Sequence, residues 1–425
     1  MTTRYLGILL YLLCIYSIGY AQNYADEIRD NISKAGGVYF TYPAQSNLST
    51  SPPPGFSPFY ISHIGRHGSR YLLKEDDYLI PLEMLETAKK ENVLTPVGDS
   101  LYSCLRILHN DTKNRAGDLT LKGVDQHRGI AERMYFSFPE IFSDNNTVNA
   151  RSTMVMRCAM SMAAFTERLK ELNPNLKIIR DPSERNTAYM NYQSKEAEKY
   201  NSASGPWKEE YRKLRETLAP TTTVLPKVFS DSTFIRRFVN PVDFTCRLYT
   251  IIVGLQNLDK DYGFPEVFNV DELIALWKIY NYRMYVHYSN YKPSNRAVIL
   301  SSRPLLKEFI KNAEAALQSQ SPSADLRFGH DINIIPLAGL MGIKGTAECT
   351  DNPYDIPLVF QDYDVSPMAS NIQLVFFKDK TNNVIVKFLH NEKETSIPIE
   401  SSIYPFYKWE DVKDYFNSLL TDEAR

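Results

Sequence analysis

Three short stretches of this chain carry side chains that could act on a bound anion. The first is Arg66-His67-Gly68-Ser69-Arg70, in which two guanidiniums bracket an imidazole. Fixed cations crowded around a histidine are unfavourable unless an anion joins them, and the planar fork of arginine suits phosphate oxygens. The same positive charge lowers the imidazole pKa and keeps the ring neutral and nucleophilic. The second stretch, Val148–Leu169, places Arg157 in the first turn or two of an expected helix. Free backbone N–H groups and the helix dipole favour an anion there. Arg151 is the competing candidate in that stretch. The third is His330-Asp331, a second imidazole beside a carboxyl that can move a proton. An isolated Arg-His-Gly is more often a basic surface turn with an incidental histidine, but the five-residue pattern is far more demanding.

Each stretch follows or opens a regular element. Phe59-Tyr60-Ile61 through Ile64 is apolar and β-favouring, a short buried strand ending at Gly65. Ser152 or Thr153 makes a natural start for a helix in which Met156, Met160, Ala163, Ala164 and Phe165 recur at core spacing. Leu326-Arg327-Phe328 reads as a strand that turns through Gly329 into His330, with a helix following through Pro336. In open α/β sheets, ligands bind beyond the carboxyl ends of the strands, which is where all three stretches fall. Between them, Ile80–Glu91 and Val124–Tyr135 have helical spacing, the latter with Thr120 as cap. Asn371–Phe377 and Val384–Leu389 read as strands joined by a turn over Lys378–Asn383, and an amphipathic helix spans Trp409–Leu420. His109 and His127 have no partners in sequence and read as ordinary surface or core-edge histidines.

Arg66-His67-Gly68-x-Arg70, the later Arg157 and the terminal His330-Asp331 resemble, in order, the signature of the histidine phosphatase superfamily, in particular its acid phosphatase and phytase branch. Leu119-Thr120-Leu121-Lys122-Gly123 resembles a Leu-Thr-x-x-Gly element of the same family, and Leu276–Pro304 is similar to multiple inositol polyphosphate phosphatases. The resemblance implies an α/β fold: a three-layer α/β/α sandwich with a mixed sheet, phosphoglycerate mutase-like, with a helical cap insertion. It makes residues 22–169 and 295–425 the core and 170–294 the cap. It makes His67 the nucleophile and Asp331 the proton donor. Arg66, Arg70, Arg157 and His330 would hold the phosphate, and Lys74 is a further candidate substrate contact. No metal or other cofactor is implied, because arginines supply the charge. Three departures stand out. Met154-Val155-Met156 replaces residues of acidic character, Leu72 stands where the family usually has proline, and His330-Asp331 differs from the His-Ala-Glu of one inositol polyphosphate phosphatase subtype.

Composition limits the remaining possibilities. Residues 1–21 read as an export signal: Arg4 ahead of an apolar Leu6–Ile18 core, then Gly19-Tyr20-Ala21 as a small-x-small cleavage site. Cys14 is preceded by Leu13, where lipoprotein processing expects a small residue. The expected product is therefore periplasmic or extracellular, with no membrane span. The formal charge of −2 describes no general nucleic-acid or membrane binder, so the expected partner is a small phosphorylated molecule. Cys104, Cys158, Cys246 and Cys349 lack Cys-x-x-Cys spacing, which removes support for zinc or thioredoxin-like chemistry. The expected activity is hydrolysis of phosphate monoesters, either inositol polyphosphates (phytate) or sugar phosphates. The alternatives are a non-catalytic binder of phosphorylated ligands and a phosphotransferase or mutase of the same superfamily.

Overall fold

The protein was analysed as a computed structural model, which describes residues 23–43, 49–202, 204–319 and 321–421; the expected export signal lies outside them. Its centre is β1, Ser57–Arg66, apolar for most of its length and buried on both faces. Such a strand needs a partner on each edge and helices above and below. On one edge β1 pairs in parallel with β4 (Ala324–Gly329), beyond which lie β2 (Thr147–Ser152) and β3 (Lys177–Pro182), all parallel. On its other edge β1 pairs antiparallel with β5 (Asn371–Lys378), followed by β6 (Val384–His390), β7 (Lys393–Thr395) and β8 (Phe406–Lys408). The expected mixed sheet is present.

Alternation along β1 divides its side chains between two cores. Tyr60 and Ile64 pack with Leu306, Phe309, Leu337 and Phe416 from helices Arg303–Ser319, Asp331–Met341 and Trp409–Leu420. Ile61 faces the other way, among Ile130, Met134, Phe165 and Leu169 from helices Leu121–Ser137 and Met156–Leu172. The result is three layers, and truncating a fully buried ring such as Phe165 or Phe309 to alanine should cost about 3–5 kcal/mol. Parallel pairing sets Arg66 opposite Gly329, and Ser152 opposite Phe328, so the three chemically interesting stretches leave the sheet at one edge.

Two expectations need adjusting. Residues 170–294 are not all helical cap, because Lys177–Pro182 is the outermost strand of the sheet; the helical part starts at Glu184. Nor does that part pack by itself. Leu248, Tyr249, Leu276 and Trp277 share a core with Ala35, Phe40, Leu85 and Leu105, so the N-terminal segment and helices Asp76–Lys90 and Pro96–Thr112 belong to the same layer. The second helix of interest starts at Met156, not at Ser152 or Thr153, because Ser152 still completes β2. On that helix Met156 (68% exposed) and Met160 share the outward face, and Met162, Ala164 and Phe165 fill the core.

Candidate active site

The loop after β1 is held from every side. The main-chain N–H of Arg66 donates to the Ser370 carbonyl (2.7 Å), that of His67 to Gly329 (2.9 Å), and that of Ala369 to the His67 carbonyl (3.0 Å). Gly68 rests on the first turn of helix Leu121–Ser137, where a Cβ would lie 2.7 Å from the Gly123 Cα; a Cβ on Gly123 would in turn lie 2.8 Å from the Ser69 nitrogen. This backbone-on-backbone contact is why both stretches carry glycine. Thr120 caps the helix through its Oγ1, which accepts from the Gly123 N–H (3.3 Å) and donates to the Ser69 carbonyl (3.1 Å). The Ser69 N–H donates to Gln126 Oε1 at 2.8 Å.

His67 is buried, 2% exposed, at the centre of the cluster. Its Nδ1 lies 2.9 Å from the Gly68 carbonyl oxygen. A carbonyl only accepts, so Nδ1 carries the proton and Nε2 keeps its lone pair. Burial, then Arg66 and Arg70, and then His330 and Arg157 push its pKa well below the usual imidazole value. These surroundings favour the neutral ring.

Three guanidiniums from different elements surround it. Arg66, fully buried at the end of β1, donates from Nη1 to the Val38 and Ser366 carbonyls (2.6 and 2.7 Å). Arg70 donates to the Tyr71 carbonyl (2.9 Å) and lies over the Tyr39 ring at 5.2 Å. Arg157 comes from the first turn of helix Met156–Leu172, with Nη2 3.5 Å from His330 Nδ1. Each still has a buried N–H group without an acceptor: Nε and Nη2 of Arg66, Nε of Arg70 and Nε of Arg157. Buried donors are seldom left unpaired, and four of them on three guanidiniums mark a place made for an anion.

His330 and Asp331 close the site from the end of β4. The His330 N–H donates to Asn333 Oδ1 (2.7 Å), and the His330 and His67 rings stand edge to face, 5.6 Å between centroids. Burial and Arg157 lower the His330 pKa to about 4, so it too is neutral. Asp331 Oδ2 is 3.1 Å from Arg66 Nη2 in an ion pair without hydrogen-bond alignment, and its side chain is 21% exposed. Burial alone would raise the Asp331 pKa, but Arg66, His330 and Arg70 outweigh it and hold the carboxyl below its ordinary value. In the free protein it is a carboxylate.

The structure brings together His67, Asp331, Arg66, Arg70, Arg157 and His330. Arg151 is excluded: it lies on β2, where Nη1 pairs with the buried Asp325 at 2.6 Å. Lys74 is exposed beyond the loop, its N–H donating to Asp77 Oδ2 at 3.3 Å. At Leu72, where proline would be usual, the main-chain N–H donates to the Tyr78 hydroxyl (3.0 Å), a bond proline could not make. Several supports escaped the sequence reading: Val38 and Tyr39 near the N-terminus, Ser161, whose Oγ accepts from the Gly68 N–H at 3.2 Å, and Ser366. None carries a sequence signal of its own. Cys158 is also present, buried, its Sγ donating to the Gly329 carbonyl at 3.1 Å.

Comparison with known proteins gives a consistent picture. The family model described as histidine phosphatase superfamily (branch 2) matches residues 62–391. No curated protein sequence matches the chain. Among solved structures, the chain is similar to a Bifidobacterium longum multiple inositol polyphosphate phosphatase in complex with inositol hexasulfate. That match has a TM-score of 0.72 at 17% identity, covering 92% of this chain and 98% of the other. A phytase from D. castellii matches with TM-score 0.66 at 14% identity, over 92% and 86% of the two chains. The apo form of Hafnia alvei phytase matches with TM-score 0.54 at 14% identity, over 87% and 98%.

Proposed function

The chain belongs to branch 2 of the histidine phosphatase superfamily, and from that premise we propose that it is an exported phosphomonoesterase working through a phosphohistidine, with inositol polyphosphates such as phytate, or sugar phosphates, as its substrates. The observation that carries this reading is the meeting of three guanidiniums, each with a buried unpaired N–H, with a lone-pair-bearing His67 Nε2.

In the proposed reaction, Arg66, Arg70, Arg157 and the neutral His330 take the non-bridging oxygens of the ester, where charge is concentrated as phosphorus becomes five-coordinate. His67 Nε2 attacks phosphorus, forming the N–P bond as the bond to the leaving oxygen breaks. Asp331 gives its proton to that oxygen, and the alcohol departs. The Nδ1–H bond to Gly68 stays intact and holds the ring in line. Water then attacks the phosphohistidine, Asp331 takes its proton, the N–P bond breaks and inorganic phosphate leaves.

Asp331 is ionised in the free protein, so the proton it gives must arrive with the substrate. A phosphate monoester has its second pKa near 6 and can bring that proton as the monoanion, after which the dianion left behind favours protonated Asp331. Substrate selectivity is read from the similarity to phytases and an inositol polyphosphate phosphatase and from the helical layer over the site. A non-catalytic binder would need neither His67 nor Asp331. The test is a turnover profile of the purified protein with p-nitrophenyl phosphate, phytate and simple sugar phosphates. Hydrolysis of the first with preference for one of the others is expected; binding of all with hydrolysis of none would refute the reading.

A further inference from the structure

Behind the carbonyls that hold Arg66 lies a buried carboxyl that Arg66 does not hydrogen-bond. Arg66 Nη1 is aimed by two main-chain carbonyls, Val38 and Ser366. Both lie on segments arranged around Asp362, whose side chain is completely buried. Asp362 Oδ2 accepts the Val38 N–H at 3.2 Å, and Oδ1 accepts the Trp277 indole N–H at 2.9 Å. The Asp362 carbonyl accepts the Ser366 N–H at 2.9 Å, and its own N–H donates to Asn281 Oδ1 at 3.0 Å. Trp277 and Asn281 are one turn apart on helix Val270–Tyr288, so the helical layer grips this carboxylate from one face. Gly37 completes the arrangement. Its φ of +54° favours glycine, and a Cβ there would lie 2.5 Å from Asp362 Oδ2.

We propose that Asp362 is a positioning residue for Arg66: it fixes the Val38 and Ser366 carbonyls that aim the guanidinium at the substrate phosphate, and through Trp277 it ties that aim to the helical layer. The inference rests on the reading of Arg66 as a phosphate clamp. Asp362→Asn keeps the shape but sets an amide N–H against either the indole or the Val38 N–H, both donors. Trp277→Phe leaves the carboxylate and most of the ring contact but removes one donor.

At pH 7, above the value of about 6 to which burial raises the Asp362 pKa, the test measures inhibition by inorganic phosphate and kcat/KM with p-nitrophenyl phosphate in Asp362→Asn, Trp277→Phe, Arg66→Ala and the Arg66→Ala/Asp362→Asn double variant. Residues in one hydrogen-bond network are commonly coupled by factors from about threefold upward. Asp362→Asn should weaken phosphate inhibition and lower kcat/KM about tenfold, Trp277→Phe should move both the same way by less, and the double variant should be no worse than Arg66→Ala alone. A purely structural role would lower the melting temperature and multiply the losses in the double variant; that result overturns the inference. If Asp362→Asn does not fold, Trp277→Phe decides, and unchanged phosphate inhibition in it counts against the proposal. Should Arg66→Ala itself leave inhibition and turnover intact, the clamp reading fails and takes this inference with it.

Discussion

Beneath the reacting loop lie two buried histidines that should make the protein sensitive to acid. His63 is on β1 and His127 on helix Leu121–Ser137, with Phe328 in ring contact with both, at centroid distances of 5.5 and 5.7 Å. Neither ring nitrogen of His127 has a well-aligned hydrogen-bond partner. Burial lowers both pKa values to about 3; His127 and Arg327 add to the effect at His63, and the Arg66 main chain offsets it slightly at His127. Unfolded, both rings take up protons below about pH 6.5. Between pH 6.5 and 3 the unfolded chain therefore binds more protons, and stability falls as pH falls. At pH 4.5 each histidine accounts for two pH units of this difference, or about 3 kcal/mol lost relative to neutral pH. His127→Leu, similar in volume and unable to titrate, should change stability at pH 7 by no more than about 1.5 kcal/mol. At pH 4.5 it should be the more stable protein, by about 3 kcal/mol beyond any difference at pH 7. Thermal and denaturant unfolding at the two pH values measure this difference; titrating groups other than His63, whose pKa His127 helps to lower, cancel between variant and wild type. Parallel loss of stability in both proteins would show that His127 is not held neutral and that the reasoning is wrong.

Other outcomes follow from the site. Asp331→Asn should cost about 10²–10⁴-fold with phytate or a sugar phosphate, whose alkoxides need a proton, and far less with p-nitrophenyl phosphate; equal losses would move the proton donor elsewhere. With wild-type protein, kcat/KM should fall about tenfold per pH unit above about pH 6, as the ester loses the proton that Asp331 uses, while neutral His67 sustains activity into acid. A rate that rose through this range would contradict that route. Activity should survive EDTA and be blocked by vanadate, which mimics five-coordinate phosphorus; loss on chelation restored by Zn²⁺ or Mg²⁺ would point to different chemistry.

Residues that pair with near neighbours, or mark the end of an apolar strand, were legible in the sequence. β1, β4, β5, β6 and the last helix came within a few residues of their observed limits, because apolar runs bounded by glycine or turn residues leave little choice. The helix at Met156 was placed too early because Ser152 and Thr153 look like caps, while the parallel ladder to β4 keeps Ser152 extended. Met156 and Met160 do share one helical face, as their spacing says, but spacing does not tell which face is buried, and this one turns outward. β3 was missed because its residues are all exposed or half-buried, as an edge strand allows, and no apolar run announces it. The anchors of Arg66 were beyond reach for a different reason. Val38 and Ser366 act through main-chain carbonyls, which every residue possesses, and only the tertiary fold brings them 28 and 300 residues along the chain to one guanidinium.

The central claim is that His67 becomes covalently phosphorylated during turnover. Protein mixed with a radiolabelled phosphate ester should be quenched in alkaline detergent within the first turnovers, and the label mapped. The account predicts label on His67 that survives base and is lost in acid, absent from a His67→Ala variant that retains its fold but has lost turnover. Full turnover in that variant, or label that appears on another residue or not at all while product is released, would contradict it.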